Sequence, residues 1–229
     1  MKDQFLQMAT HEINTPISVM RGRSSMLAEN QGISPEIKKE VEIINNEAER
    51  LSKMVYGINL VSLIDQKKLE IDKREVDVLA VVRVEIEDKK RLFSEKGNRV
   101  EVLHGSGAGE NVFCDEEFVK FCIGELLNNA NKFSRNSQIT LSVLRRDGVN
   151  IIEVNDRGIG IQKKDLNRVF VKFFQSARFD ETNPVEQQGS GVGLYIVKNI
   201  IKLHGGDVWV DSEKGQGTTI GFSLPDKIG

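Results

Sequence analysis

The sequence is poor in the residues that staple or anchor a protein. It holds two cysteines, four prolines, three histidines and one tryptophan. Cys114 and Cys122 both stand in what reads as helical sequence, so they are expected to be reduced, buried small hydrophobes rather than a disulfide. Their spacing is not that of metal ligands, and only His11, His104 and His204 could join them, which argues against a zinc site. No apolar run approaches the ~20 residues of a membrane span, and the N-terminus has no signal-peptide pattern. A net charge of -2 gives no basic surplus for nucleic acid. What is present, 29% charged and 39% apolar residues, suits a soluble globular protein rich in helix, and the reduced cysteine pair suits the cytoplasm. The length of 229 residues allows one large domain or two modest ones.

Two modules are expected. Residues 1–65 carry two long helical patterns around one break, "NQGISPE", where Gly32 suits a C-cap, Ser34 an N-cap and Pro35 the first helical position. The second pattern repeats Ile37, Val41, Ile44, Ala48, Leu51, Val55, Ile58 and Ser62 in steps of three and four. One antiparallel pair exposes too much of this seam, so two hairpins are expected to close a four-helix bundle as a homodimer. The alternative is a hairpin folded back on its own second module. Residues 66–229 change character, and "LIDQKKLE" is the expected hinge. Strands are predicted at "KLEID", "NRVEVL", "QITLSVLRR", "VNIIEVND", "GDVWVDS" and "GTTIGFSLP". Helices are predicted over 79–95, 116–133 and 191–204, and "RRDGVN" reads as a hairpin. The fold class is therefore α+β: a helical hairpin, then an α/β sandwich with a mixed sheet and helices on one face.

Three stretches of the second module invite chemistry. "ELLNNANKFS" puts asparagines at 128, 129 and 131 late in a helix, where asparagine is a mediocre former. "NDRGIGI" leaves a strand through a turn whose glycines permit close backbone approach. "GSGVGLYIVKNI" opens a helix with glycines spaced to seat phosphates on its N-terminus. In the first module "MATHEINTPISVM" sets His11 and Glu12 just before a helix-interrupting Pro16.

Taken in this order, the motifs resemble those of the histidine protein kinases of two-component signalling. "HEINTP" is similar to that family's phosphoacceptor box, "LLNNANKFS" to its asparagine box, "DRGIGI" and "GSGVGLYIV" to its glycine boxes, and "VFVKFF" to its phenylalanine box. The resemblance implies ATP and Mg²⁺ as cofactors, a homodimer, and a response regulator receiver domain as partner. It implies that His11 accepts the phosphoryl group. An imidazole with pKa about 6.5 is largely neutral at pH 7 and needs little activation. Glu12 would accept a bond or proton from the ring. Thr15, one turn on, would orient water for dephosphorylating the partner. In the second module Asn129 would reach Mg²⁺, with Lys132 near phosphate. Asp156 would bond the adenine amine, and Gly158 and Gly160 would let backbone approach the base. Gly189, Gly191 and Gly193 would close a lid helix on the phosphates. Phe170, Phe173 and Phe174 would pack the base of the lid.

Departures from the family pattern are visible. Asn14 replaces an arginine of the phosphoacceptor box, and Gln175 replaces an arginine at the lid start, for which Lys172 or Arg178 could substitute. Glu125 stands where the asparagine box begins; related clamp ATPases have a glutamate there that activates water. Because the sequence begins ten residues before His11, sensor or membrane segments are expected outside it, and membrane contact only through them. The competing readings are an ATP-driven clamp and an inactive dimeric scaffold. The His–Glu hairpin argues against the first, and the intact Asn129, Asp156 and glycines against the second.

Overall fold

The computed structural model describes residues 2–28, 32–109, 111–175 and 190–226, with side chains from Ile13 onward. The chain divides into two compact units, Met1–Leu69 and Glu70–Gly229.

The first unit is a hairpin of α1 (Lys2–Ala28) and α2 (Pro35–Asp65). Ser34 caps α2 as its sequence signature predicts: its backbone is extended, its hydroxyl accepts from the Ile37 N–H at 3.4 Å, and Pro35 takes the first helical position. Helix α1 runs through Pro16, which has no N–H to offer the Glu12 carbonyl one turn back. The helices meet along a narrow line where Ile17, Ala48 and Val55 form a buried cluster. Beside it the buried Ser24 hydroxyl donates to Asn45 Oδ1 at 3.2 Å.

The apolar seam of α2 then splits in two. Val41, Ala48 and Val55 are buried against α1, whereas Ile37, Ile44, Leu51 and Ile58, spaced every seven residues, remain 40–52% exposed. Ile13, Met20 and Leu27 repeat the pattern on α1 and are also exposed. Covering the exposed half of the four α2 side chains is worth roughly 3–6 kcal/mol.

In the second unit the order is β1 (Arg74–Val76), α3 (Val78–Glu95), β2 (Arg99–His104), β3 (Val112–Cys114), α4 (Glu116–Phe133), β4 (Gln138–Arg146), β5 (Val149–Asp156), a short 3-10 turn (Leu166–Arg168), α5 (Gly193–Leu203), β6 (Val208–Glu213) and β7 (Gly217–Pro225). Five strands form one sheet, β2-β4-β5-β7-β6, with β2 parallel to β4 and the other pairs antiparallel. Consecutive positive φ at Asp147 (51°) and Gly148 (75°) make the tight β4–β5 hairpin that "DG" predicts.

Alternation along the strands makes the sheet one-sided. Ile139, Leu141 and Val143 of β4 and Ile152 and Val154 of β5 are buried, with more exposed neighbours between them. Register sets Leu141, Val154 and Ile220 in one inward row and Val143, Ile152 and Phe222 in the next. Helix α4 packs on this face beside α3 and α5. Asp156 is the next inward position of β5 after Val154, opposite Thr218, so a carboxylate ends an apolar row.

Two expectations need correction. "KLEID" forms no strand; the first strand is β1, which pairs antiparallel with β3 in a separate two-stranded ladder. Cys114 lies in that β3 strand rather than in a helix, and burial raises its thiol to about 12, with Asp115 and Glu116 adding to the effect. Cys122 is buried in α4 as a free thiol.

His204, at the C-cap of α5, locks the unit together. Its Nε2 accepts from the Asp115 N–H at 2.9 Å, so Nδ1–H donates to the Ile200 carbonyl at 2.8 Å. Asp115 in turn caps α4 through Phe118 N–H and accepts from Asp72 N–H. Burial, ahead of the Lys73 charge, holds the His204 pKa below its ordinary value. The unfolded chain therefore binds a proton first, and this group's contribution to stability is lost as pH falls below about 6.5. Replacing His204 with Ala leaves the Asp115 N–H unpaired and is expected to cost about 1–3 kcal/mol at pH 7.5. Urea titrations of both proteins should show that gap narrowing between pH 6.5 and 5.

Candidate functional site

The end of α4 sorts its asparagines by what they touch. Asn131 faces α3: its amide donates to the Leu92 carbonyl at 3.2 Å and its Oδ1 accepts from Asn98 Nδ2 at 2.8 Å. Asn98, itself buried, also bonds Ser134 O and Ser137 N, so Asn131 belongs to a structural network. Asn129 enters none of these bonds. It stands half-buried, one turn from Glu125 and three residues from Lys132, a spacing that puts the three on one side of α4. Burial lowers the Lys132 pKa, the neighbouring Lys96 charge lowers it further, and Glu125 opposes both. Lys132 Nζ lies 4.9 Å from the centre of the Phe133 ring.

Helix α4 stops where the glycine turn meets it. The Ile159 N–H donates to the Phe133 carbonyl at 3.2 Å, and a Cβ on Gly158 would stand 2.2 Å from that same oxygen. Gly160, at φ +64°, passes as close to the Glu213 carbonyl. No side chain fits at either position. The other side of the turn is tied to the β6–β7 connection through Gly215 N to Ile159 O (2.8 Å) and Ile161 N to Ser212 Oγ (2.8 Å).

This clamp holds Asp156. Its Oδ1 accepts from the Gly158 N–H at 2.7 Å, and the Thr218 backbone N–H also donates to the carboxylate. Burial outweighs both donors and pushes its pKa up to about 6. An ionised acceptor is thus held in a place that resists ionisation, a place suited to a ligand N–H donor. Thr218 was missed: "GTT" shows a threonine after a glycine, but only the strand register opposite Asp156 reveals its part. Its hydroxyl bonds that of Ser212 at 2.9 Å.

At the other end, Gly191 (φ +69°) precedes α5 and its carbonyl accepts from Phe173 N–H at 2.8 Å. Phe173 is 64% exposed rather than packed, while Phe174 is half-buried beneath the Arg168 guanidinium, 4.5 Å from the ring centre. Lys172 Nζ lies over the Tyr195 ring at 5.8 Å. Gly193, the first residue of α5, faces α4: a Cβ there would fall 1.9 Å from Glu125 Oε2. Gly189 and Arg178 lie outside the described residues. On α1, Thr15 is exposed one turn after His11; the side chains of His11 and Glu12 also lie outside the described set.

A one-sided mixed sheet, a helix layer and an aspartate leading into a glycine turn at the end of the central strand suit a nucleotide-binding sandwich. Residues 114–228 match the family of histidine kinase-, DNA gyrase B-, and HSP90-like ATPases, and residues 1–67 match the His Kinase A (phospho-acceptor) domain. The chain belongs to the histidine kinases. It is 31% identical over 232 residues to the sensor histidine kinase WalK of Bacillus subtilis, covering 98% of this chain and 36% of that protein. The autoinducer 2 sensor kinase/phosphatase LuxQ of Vibrio parahaemolyticus is 30% identical, over 97% of this chain and 26% of LuxQ. The chain thus spans about a third or less of these two relatives. Full-length ShkA, solved in complex with AMPPNP, superposes with a TM-score of 0.77 at 24% identity, covering 99% of this chain and 46% of ShkA; that likeness is one of fold.

The two asparagines should separate in stability measurements. Asn131→Ala leaves the buried Asn98 amide short of a partner and is expected to cost about 1–3 kcal/mol in urea. Asn129→Ala should stay within about 0.5 kcal/mol of the wild type.

Proposed function

We propose that this chain is the catalytic core of an ATP-dependent protein histidine kinase. A ring nitrogen of His11 takes the γ-phosphoryl group, the bond to the β-phosphate oxygen breaks and ADP leaves. The phosphoryl group then passes to an aspartate carboxylate on a response regulator receiver domain. The observation that carries this reading is the joining, in one chain, of a phospho-acceptor helix bearing His11–Glu12 to a sandwich with a buried aspartate in its glycine turn. A clamp ATPase is disfavoured by the match of residues 1–67.

In this reading Asp156 accepts the exocyclic N–H of adenine, with Gly158 and Gly160 giving the base access to backbone. Lys132 attracts phosphate, with Glu125 opposing the burial and the Lys96 charge that lower its pKa. Asn129 presents a hard oxygen donor on α4, which fits Mg²⁺. Among the described residues no trio of His, Cys, Asp or Glu could hold an ion alone, so nucleotide oxygens would complete its shell. Magnesium bound there would neutralise charge on the β- and γ-phosphates. Gly191 and Gly193 bring the start of α5 to the phosphates, and the resemblance gives Gly189 the same role. Glu12 holds the His11 ring while positive charge develops.

Thr15, exposed on α1, orients water for removing phosphate from the partner; LuxQ is named for both activities. The open seven-residue stripes of α1 and α2 support a homodimeric four-helix bundle. Two buried free thiols and an ATP substrate suit the cytoplasm, and among the described residues no helix is long and apolar enough to cross a membrane.

Radiolabel from γ-labelled ATP should stay on the protein, stable to alkali and labile to acid, and vanish in His11→Gln while ATP still binds. Labelling retained in that variant refutes the assignment of His11. In sedimentation the wild type should run as two chains at micromolar concentration. The double variant Ile44→Asp, Leu51→Asp should run as one folded chain, since each aspartate puts a charge on the open stripe.

A further inference from the structure

The first turn of α5 is an unusual place for a glycine that no loop requires. Gly193 has a helical backbone, and α5 is an 11-residue helix whose N-cap residue, Val192, supplies no side-chain cap. What excludes a side chain there is Glu125. Its Oε2, Cδ and Cγ lie 1.9, 3.0 and 3.7 Å from where a Gly193 Cβ would be. The carboxylate of one helix is therefore laid against the N-terminal turn of the next. That end of a helix carries unpaired N–H groups and about half a positive charge, and an anion there is stabilising.

We propose that Glu125 is a built-in anionic competitor at the phosphate-binding end of the site, laid against the start of α5 and expelled when a triphosphate arrives. This rests on the reading that nucleotide phosphates are drawn to the start of α5. Helix N-terminus and glutamate are each ordinary alone; their close approach through Gly193 ties them. A carboxylate and a triphosphate are both anionic, so the positive end of α5 cannot serve both equally. Released, Glu125 stays within one turn of Asn129 and within reach of Lys132's charge, which it already influences. Expelling it charges a toll on phosphate-bearing ligands alone. Glu125 thereby sets how strongly the site prefers nucleotide over nucleoside, and keeps α5 ordered while the site waits.

The test is calorimetric titration of ATP and of adenosine, both with Mg²⁺, into the His11→Gln protein with and without Glu125→Gln. Glutamine keeps the shape and removes the charge. ATP should bind roughly fivefold tighter or more when the charge is gone, a size in keeping with an anion at a helix terminus, and adenosine should bind equally to both. In the absence of nucleotide, amide exchange across residues 193–196 should be faster in Glu125→Gln, and ATP should restore protection. Unchanged or weaker ATP binding overturns the proposal, the weaker outcome assigning Glu125 to metal or water instead. Equal tightening for adenosine also overturns it, since the gain would then not lie with phosphate. Failure of the underlying reading looks different: ATP and adenosine would bind alike in the protein that retains Glu125, and Asp156→Ala would weaken neither.

Discussion

The carbonyl oxygen of Phe133 is where the second unit is joined. It ends α4, receives the Ile159 N–H, and leaves 2.2 Å to the space a Gly158 side chain would need. Because that contact is backbone on backbone, side-chain rearrangement cannot loosen it. The glycine turn is consequently fixed to the same helix that carries Asn129 and Lys132, and Asp156 follows, since its carboxylate is bonded to the turn. Groups 27 residues apart in sequence, Asn129 and Asp156, are thus set by one short hydrogen-bonded approach rather than by a flexible loop.

Electrostatics then differentiate the two ends of the site. At the aspartate end a carboxyl is held buried against its preference for water, with only backbone donors for company, so its pKa rises to about 6. At the lysine end burial and the neighbouring Lys96 push an ammonium toward neutrality while Glu125 draws it back. The two ends thus differ in kind: a buried carboxyl held by backbone N–H groups at one, and at the other a half-buried lysine under the opposed influence of Lys96 and Glu125. His204 shows the contrast: a titratable ring equally enclosed, yet with both nitrogens committed to backbone, and so structural.

Much of the second unit could be read from its sequence. Helix α4 was legible because its apolar residues keep a helical period up to Phe133, and Asp147–Gly148 because consecutive left-handed residues favour that pair. The mixed sheet with helices on one face followed from strands and helices interspersed without strict βαβ alternation and from the "RRDGVN" hairpin. The β1–β3 ladder was not legible: three-residue strands are too short to show a period, and Cys114 sits directly before a strong helix. Helical period alone could not tell Asn131 from Asn129, which only the resemblance singled out, since two residues of rotation on a helix decide whether an amide faces α3. Thr218 and the approach of Glu125 to Gly193 depend on pairings between distant segments, which spacing along a chain does not encode. In the hairpin, the period of α2 was plain, but only the packed helices divide it into a stripe that α1 covers and one that stays open.

The parallel pairing of β2 with β4 bears on how the protein is made. No tight turn can join parallel neighbours, and here β3 and all of α4 lie between the two strands. Strand β2 therefore leaves the ribosome without a neighbour and waits for β4, a long-range closure of the kind that slows folding. The α1–α2 hairpin has no such wait: its contacts are between consecutive helices, and it is synthesised first. Its open apolar stripes are on offer while the sheet is still incomplete. The order of events built into the topology is helical pairing early and a finished nucleotide sandwich late.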